Sequence, residues 1–328
     1  MLSLSKMKQS FGNSRLIPAT YTFFTKPFSK RLRRLPESPK LPKIPQKVTA
    51  AVPNYNYAGF LEARLNSILT QTYPVSELII LDDASTDDSV MKIKTLIDVI
   101  KPEYPDLKVK FIKNSENSGK SIFQWQKAFC EASGDFLWLA EADDLSDPDF
   151  LATVMQKFET DEKALISFSN SVAINSRGSV LTYDFANRSV DKLGNHRFEA
   201  DFILSGEEVL KNEFAINCII PNVSAAVFRL DKSVAFEKYL AKAAEFSQCG
   251  DWYFYLSILK RGNLAYSRPA LNYFRIHQNS VTANAKKSET ILREVKVVHS
   301  LIKKKYSLDK KILSAIKKEE ARLANRLI

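Results

Sequence analysis

The chain is poor in cysteine: three (Cys130, Cys218 and Cys249) in 328 residues, with no two at metal-ligand spacing. That excludes a disulfide framework and a thiolate metal site, and it predicts free thiols in a reducing compartment. No apolar run approaches the ~20 residues a membrane-spanning helix needs. No internal repeat is visible. The N-terminal stretch lacks a continuous apolar segment and a small-residue cleavage site, so it makes a poor secretory signal. What remains is an ordinary globular composition, 45% hydrophobic and 26% charged, with length for one large domain or two smaller ones.

The net charge of +11 is unevenly placed. Residues 1–47 hold 11 basic and 1 acidic side chains, and residues 285–328 hold 13 and 5, leaving 24 and 31 for the middle. An acidic body with basic ends is not a general nucleic-acid binder. The ends suit an anionic membrane surface, at ~1 kcal/mol for each nearby Lys or Arg; a solvated face and tail is the alternative. Pro36, Pro39, Pro42 and Pro45 recur every third residue, the period of polyproline II, so 1–47 reads as a basic, Pro-containing arm.

From residue 48 the pattern alternates. Apolar runs at 48–52, 77–83, 107–113 and 135–141 read as strands, and 59–70, 88–100 and 120–132 as helices. Strand–helix repeats with short joints predict an α/β fold, a mostly parallel sheet flanked by helices. Residues 164–174 and 222–230 read as further strands, 251–261 and 288–304 as helices, and 308–327 as a Lys-rich amphipathic helix.

Three of these strands end in polar groups: Pro53-Asn54-Tyr55-Asn56, Asp82-Asp83 and Glu141-Ala142-Asp143-Asp144. In a parallel sheet such ends share one rim, where ligands bind. Converging carboxylates repel unless a cation or proton intervenes. Carboxylates and water suit Mg²⁺ or Mn²⁺, which usually enter with substrate phosphates. The residues therefore point to a nucleoside diphosphate with a divalent cation.

The run V-P-N-Y-N-Y-A-G-F-L-E-A-R-L-N-S-I-L-T-Q-T-Y-P, followed by E-L-I-I-L-D-D-A-S-T-D-D-S, N-S-G-K and G-D-F-L-W-L-A-E-A-D-D, resembles the glycosyltransferase family 2 domain of GT-A fold. G-D-W-Y-F-Y-L and N-Y-F-R-I-H-Q-N-S-V-T resemble that family's acceptor half, so the likeness covers about 48–284. It implies a nucleotide-binding half at 48–145 and an acceptor half at 146–284, and the basic, helix-patterned segment 285–328 lies beyond it.

The resemblance implies site residues. Pro53 and Tyr55 line the nucleotide pocket, and Asp83 accepts the ring N–H of uracil or thymine. Lys120 approaches the diphosphate, or is a solvated lysine at a helix start. Asp143 serves the ribose and metal region, Asp144 ligates the metal directly, and His277 is a further ligand. Glu141 stands where the family has Asp. Asp251 is the catalytic base, although a carboxylate there also serves as a helix cap; the family often has Glu-Asp where this chain has Gly250-Asp251. Arg275 contacts phosphate and Trp252 forms an acceptor platform.

The implied activity is inverting transfer from a UDP- or dTDP-sugar to a glycan or lipid-linked glycan. It uses Mn²⁺ or Mg²⁺, takes place in the cytoplasm or on the membrane's inner face, and serves surface polysaccharide or O-antigen assembly. A non-catalytic nucleotide-sugar or glycan-binding module is the alternative. A nucleotidyltransferase is disfavoured because the loop after the first strand is Pro-Asn-Tyr-Asn rather than Gly-rich.

Overall fold

The computed structural model describes residues 46–185, 192–194, 196–277 and 289–325. The N-terminal arm, apart from Gln46 and Lys47, lies outside the described residues, as do 278–282 of the late motif.

In chain order the first half contains β1 (Val48–Asn54), α1 (Ala58–Leu69), β2 (Glu77–Asp82), α2 (Ser89–Glu103), β3 (Lys108–Lys113), α3 (Ser121–Glu131), β4 (Phe136–Leu139) and the short β5 (Leu145–Ser146). There follow α4 (Phe150–Thr160), β6 (Ala164–Asn175), β7 (Val180–Thr182), β8 (Phe202–Leu204), α5 (Gly206–Lys211), α6 (Glu213–Ile216), β9 (Ala226–Arg229), α7 (Phe236–Ala243), α8 (Gly250–Leu259) and β10 (Asn263–Ile276). Two helices close the chain, α9 (Glu289–Lys305) and α10 (Lys310–Ala324).

The main path of the sheet runs β3-β2-β1-β4-β9-β6-β10-β5. β3, β2, β1 and β4 are parallel, as the alternating strand–helix pattern predicts. β6 and β10 are also parallel, and β9 lies antiparallel between β4 and β6. The sheet is thus mixed, two parallel groups joined through one reversed strand.

Alternate side chains of each central strand enter opposite cores. Ala51, Ile79, Leu81, Leu137 and Leu139 face one apolar cluster. Ala50, Val52, Leu78, Ile80, Phe136 and Trp138 face the other, with α1 and α4. Val295, Val298, Ile302, Ile312, Ile316 and Leu323 of α9 and α10 belong to the first cluster, alongside Trp252 and Phe254 of α8. The basic C-terminal helices therefore pack on the body. Among the described residues, no helix is long and apolar enough to cross a membrane.

Two segments depart from the sequence pattern. Residues 222–230 are strand only from Ala226, because Val223–Ala225 makes a tight helical turn. There Ser224 Oγ accepts from the Glu141 amide at 3.1 Å, and the Ser224 carbonyl accepts from Trp138 Nε1 at 2.9 Å. The sheet's longest strand, β10, had no counterpart in the pattern, since Pro269 interrupts it.

Candidate active site

The ends of β1 and β2 are interlocked. Asn54 Nδ2 donates to Asp82 Oδ2 at 2.9 Å, and Asp82 Oδ1 accepts from the Ser85 amide at 3.0 Å. Asn56 and Ala84 turn sharply, with φ of 57° and 58°. Asn56 Oδ1 then accepts from the Thr86 amide at 2.8 Å, and Asp87 Oδ2 accepts from the Ala58 amide at 3.0 Å. Tyr55 stands on this platform, 43% exposed. Pro53 is buried, and its carbonyl accepts from the Ala142 amide at 3.2 Å, tying β1 to the acidic turn.

Asp83 is buried in a ring of donors. Its Oδ1 accepts from Asn114 Nδ2 at 2.5 Å, Gln124 Nε2 at 2.8 Å and the Ser118 amide at 3.0 Å. Its Oδ2 accepts only from Ser118 Oγ, at 2.8 Å, among the bonds described. A carboxylate offers about four lone-pair sites, so Oδ2 retains capacity for one more donor. Lys120 differs from expectation. Its ammonium donates to the Ala244 carbonyl at 2.7 Å and the Phe246 carbonyl at 3.2 Å, so the lysine expected at a diphosphate tethers the connector after α7.

The acidic turn follows β4. Glu141 accepts from Trp125 Nε1 at 2.7 Å, and burial, then Asp143, pushes its carboxyl up to about 8. Gln124 and Trp125 are consecutive on α3, so one helix serves both Asp83 and Glu141. Asp143 Oδ2 lies 2.9 Å from His277 Nε2. The His277 ring packs edge-on to Tyr57, with centroids 5.5 Å apart, and lies beside Phe60. Burial and the three acids hold the Tyr57 hydroxyl above its ordinary value.

Asp144, expected as a direct metal ligand, is only 2% exposed. Its Oδ1 accepts from the Arg275 amide at 2.8 Å, and its Oδ2 from Asn222 Nδ2. Burial, with Asp143 beside it, pushes its carboxyl up to about 7. Each oxygen thus accepts from a protein donor, and Asp144 fastens the turn to β10. Arg275 differs likewise: its guanidinium donates to the carbonyls of Asp143 and Asn175, at 2.5 and 2.9 Å, and lies 4.7 Å from the Phe60 ring centroid.

Arg64 was missed by the sequence reading. It is fully buried on α1, donates to Ser146 Oγ at 3.0 Å and lies 4.8 Å from the Trp138 ring centroid. Its charge draws Glu141 and Asp144 downward, against burial and Asp143. The signal was present: Leu61, Arg64, Leu65 and Ile68 share one helical face, so the arginine occupies a core position.

Asp251 lies in the first turn of α8 and accepts from the Trp252 amide at 2.7 Å. Burial, with Glu294 adding to it, pushes its carboxyl up to about 6. The Tyr255 hydroxyl is raised by burial and then by Asp251, Cys218 and Glu141, so it feels both this acid and the acidic turn. Gly250 is a packing requirement, since a Cβ there would sit 2.7 Å from the Ala243 carbonyl. Trp252, expected as an acceptor platform, is instead core: it is 3% exposed and donates to the Phe214 carbonyl at 3.2 Å.

Among the described residues, no three His, Cys, Asp or Glu form a metal-binding group. Asp143 and His277 are hydrogen-bonded to each other, and exchanging that shared proton for a cation would make them two ligands of a six-coordinate ion completed by water and phosphate. Neighbouring ligands at roughly 2.1 Å from such an ion stand ~3 Å apart, and these two donor atoms lie 2.9 Å apart.

A strand-end rim with an exposed aromatic and a ringed aspartate lies on a GT-A-like sheet. A family model described as "Glycosyl transferase family 2" matches residues 49–198. An uncharacterised glycosyltransferase of Nostoc sp. is 32% identical over 116 residues, 35% of this chain and 34% of the relative, so the chain spans about a third of that relative's length. The putative teichuronic acid biosynthesis glycosyltransferase TuaG of Bacillus subtilis is 26% identical over 77% of this chain and 89% of its own length. WfaP of Escherichia coli, a UDP-Glc:alpha-D-GlcNAc-diphosphoundecaprenol beta-1,3-glucosyltransferase, is 26% identical over 77% and 86%.

Two solved structures share the fold. S. aureus TarS 1–349 in complex with UDP-GlcNAc has a TM-score of 0.57 and 16% identity over 85% of this chain and 72% of that one. The mannosyltransferase PcManGT from Pyrobaculum calidifontis, in complex with GDP-Man and Mn²⁺, has a TM-score of 0.53 and 17% identity over 99% and 82%. Residues 49–198 thus resemble the glycosyltransferase family 2 domain, on a fold that these solved structures share.

Proposed function

We propose that this chain is a glycosyltransferase that moves a sugar from a UDP- or dTDP-linked donor to a hydroxyl of a glycan or lipid-linked glycan, with inversion, in surface polysaccharide assembly. The observation that carries the reading is Asp251: a half-buried carboxylate in the first turn of α8, raised to about 6, sharing Tyr255 with the acidic turn. A base of that strength is ionised at neutral pH yet still takes a proton readily.

Asp251 takes the proton of the acceptor hydroxyl as its oxygen attacks the anomeric carbon. The bond from that carbon to the diphosphate oxygen breaks, and the diphosphate leaves with the electron pair. One displacement inverts the centre. Tyr55 stacks on the base, Pro53 walls the nucleotide pocket, and Asp83 Oδ2 accepts the imide N–H. Asp143 and His277 would hold a divalent cation, Mn²⁺ or Mg²⁺, whose charge would offset that of the departing diphosphate. The lipid-linked acceptor of WfaP and the exposed lysines 303–305, 310, 311, 317 and 318 support peripheral contact with an anionic membrane, on the cytoplasmic side.

The test is release of UDP or dTDP from UDP-Glc, UDP-GlcNAc and dTDP-Glc, with Mn²⁺ and with chelator, with and without lipid-diphosphate acceptors. Metal-dependent release abolished in Asp251→Asn supports the transferase. Saturable donor binding without release under any acceptor supports the binding module instead. Flotation of the full chain with anionic but not neutral vesicles checks the membrane contact.

A further inference from the structure

Asp251 lies just beyond a connector, residues 244–249, that is gripped from two sides. On one side the Lys120 ammonium takes its carbonyls at Ala244 and Phe246. On the other, Glu294 of α9 takes three successive amides: Ser247 at 2.7 Å through Oε1, and Gln248 at 2.8 Å and Cys249 at 3.0 Å through Oε2. These amides lead into α8, whose first-turn N–H groups have no partner within the helix and favour an anion. Glu294 is buried, and nothing in the motifs of 48–284 points to it.

The same helix also backs the residue after the base. His299 is fully buried beside the Trp252 ring, with centroids 5.5 Å apart. Its two ring nitrogens face Glu320 Oε1 at 2.8 Å and the Ile216 carbonyl at 3.0 Å, joining α9 to α10 and α6.

We infer that Glu294 is a positioning residue for Asp251: from the C-terminal helix it fixes, with Lys120 as its counterpart, the connector that aims the base. The inference rests on Asp251 being the base. A cation from the nucleotide-binding half holds the carbonyls and an anion from the C-terminal helix holds the amides. The helix carrying Asp251 is therefore registered against both parts of the molecule.

A purely structural cap would stabilise α8 without altering the base. Glu294 also bears on the proton affinity of Asp251. The other groups placed around Asp251 are the Trp252 amide, which lowers that affinity, and Cys218, Cys249 and Tyr255, whose own proton affinities Asp251 raises.

The test uses the full chain and compares wild type, Glu294→Gln, Glu294→Asp and Asp251→Asn. Amide exchange across 247–249 is measured by mass spectrometry, and UDP release from UDP-Glc and UDP-GlcNAc with Mn²⁺ is measured against pH. Glu294→Gln preserves shape but withdraws one acceptor oxygen and the charge. It is expected to speed exchange at 247–249 and to lower kcat about tenfold with KM for the donor little changed. It is also expected to move the acidic limb of the profile to lower pH, and Glu294→Asp to recover part of the rate.

Unchanged exchange in Glu294→Gln overturns the inference, because this readout needs no turnover. So does a lower rate with an unmoved acidic limb. Wild-type turnover in Asp251→Asn overturns the base assignment instead, while the exchange result stands, so the two failures are distinguishable.

Discussion

Asp251→Asn should make the protein more stable while removing its activity. Burial pushes the carboxyl from 3.8 to about 6, a rise of about two units at 1.36 kcal/mol each, so the ionised acid costs the folded state about 3 kcal/mol at neutral pH. Allowing for its partial solvent contact, ~2 kcal/mol is the working figure.

The fold favours the neutral acid. Its contribution is fully present below pH ~4, the unfolded value, and is lost as pH rises through about 6. Asparagine keeps the acceptor for the Trp252 amide without the charge. The variant should therefore melt ~4–8 °C above wild type at pH 8, and the gap should close towards pH 4. Differential scanning calorimetry at pH 4, 6 and 8 measures it, alongside UDP release, which should fall ~10²–10⁴-fold. A gap that does not vary with pH, or a variant less stable than wild type at pH 8, would refute the burial argument.

The other predictions concern the acidic turn and its supports. Asp144→Ala strands the Arg275 amide and Asn222 Nδ2 and should lower urea stability by ~1–3 kcal/mol while leaving the Mn²⁺-induced thermal shift intact. Asp143→Ala and His277→Ala should abolish that shift, and a shift retained in both would remove the metal assignment. Arg64→Met withdraws the buried cation that draws Glu141 and Asp144 downward, and should cost ~3–5 kcal/mol at pH 8. The loss should be smaller at pH 5, where both acids carry their protons; an equal loss at both values counts against the electrostatic role. Gly250→Ala brings a Cβ to 2.7 Å from the Ala243 carbonyl and should destabilise by ~1–3 kcal/mol, read from thermal unfolding.

The first half of the fold was legible because its strands are short apolar runs ending in turn chemistry: ELIILDD could hardly be anything but a buried strand. β10 was not legible, because Pro269 breaks the run and its pairing with β6 is irregular there. At the site, the sequence brought out the acids but not their duties. Asp143 and Asp144 are adjacent, and what separates them is Asn222 and Arg275, 78 and 131 residues away. Lys120 is drawn off by carbonyls 124 and 126 residues on. Trp252 looked available beside Asp251, but helical geometry turns consecutive residues about 100° apart, and the tryptophan took the inward position. Side-chain duty in such a cleft is a tertiary property. Arg64 is the exception, since its place on an apolar face already marks a buried charge.

The irregular stretch of β10 has a consequence for how this chain tolerates insertion and deletion. Between Ser267 and Asn272 the strand advances five residues while β6 advances two, from Ser169 to Ser171. Those extra residues set the phase in which Arg275 and His277 arrive together on one side of the strand. Losing a single residue there would invert that phase and leave a ladder able to form, with both side chains delivered to the opposite layer. The segment around Pro269 thus resembles a spacer in a lock: unremarkable in composition, and intolerant of any change in count.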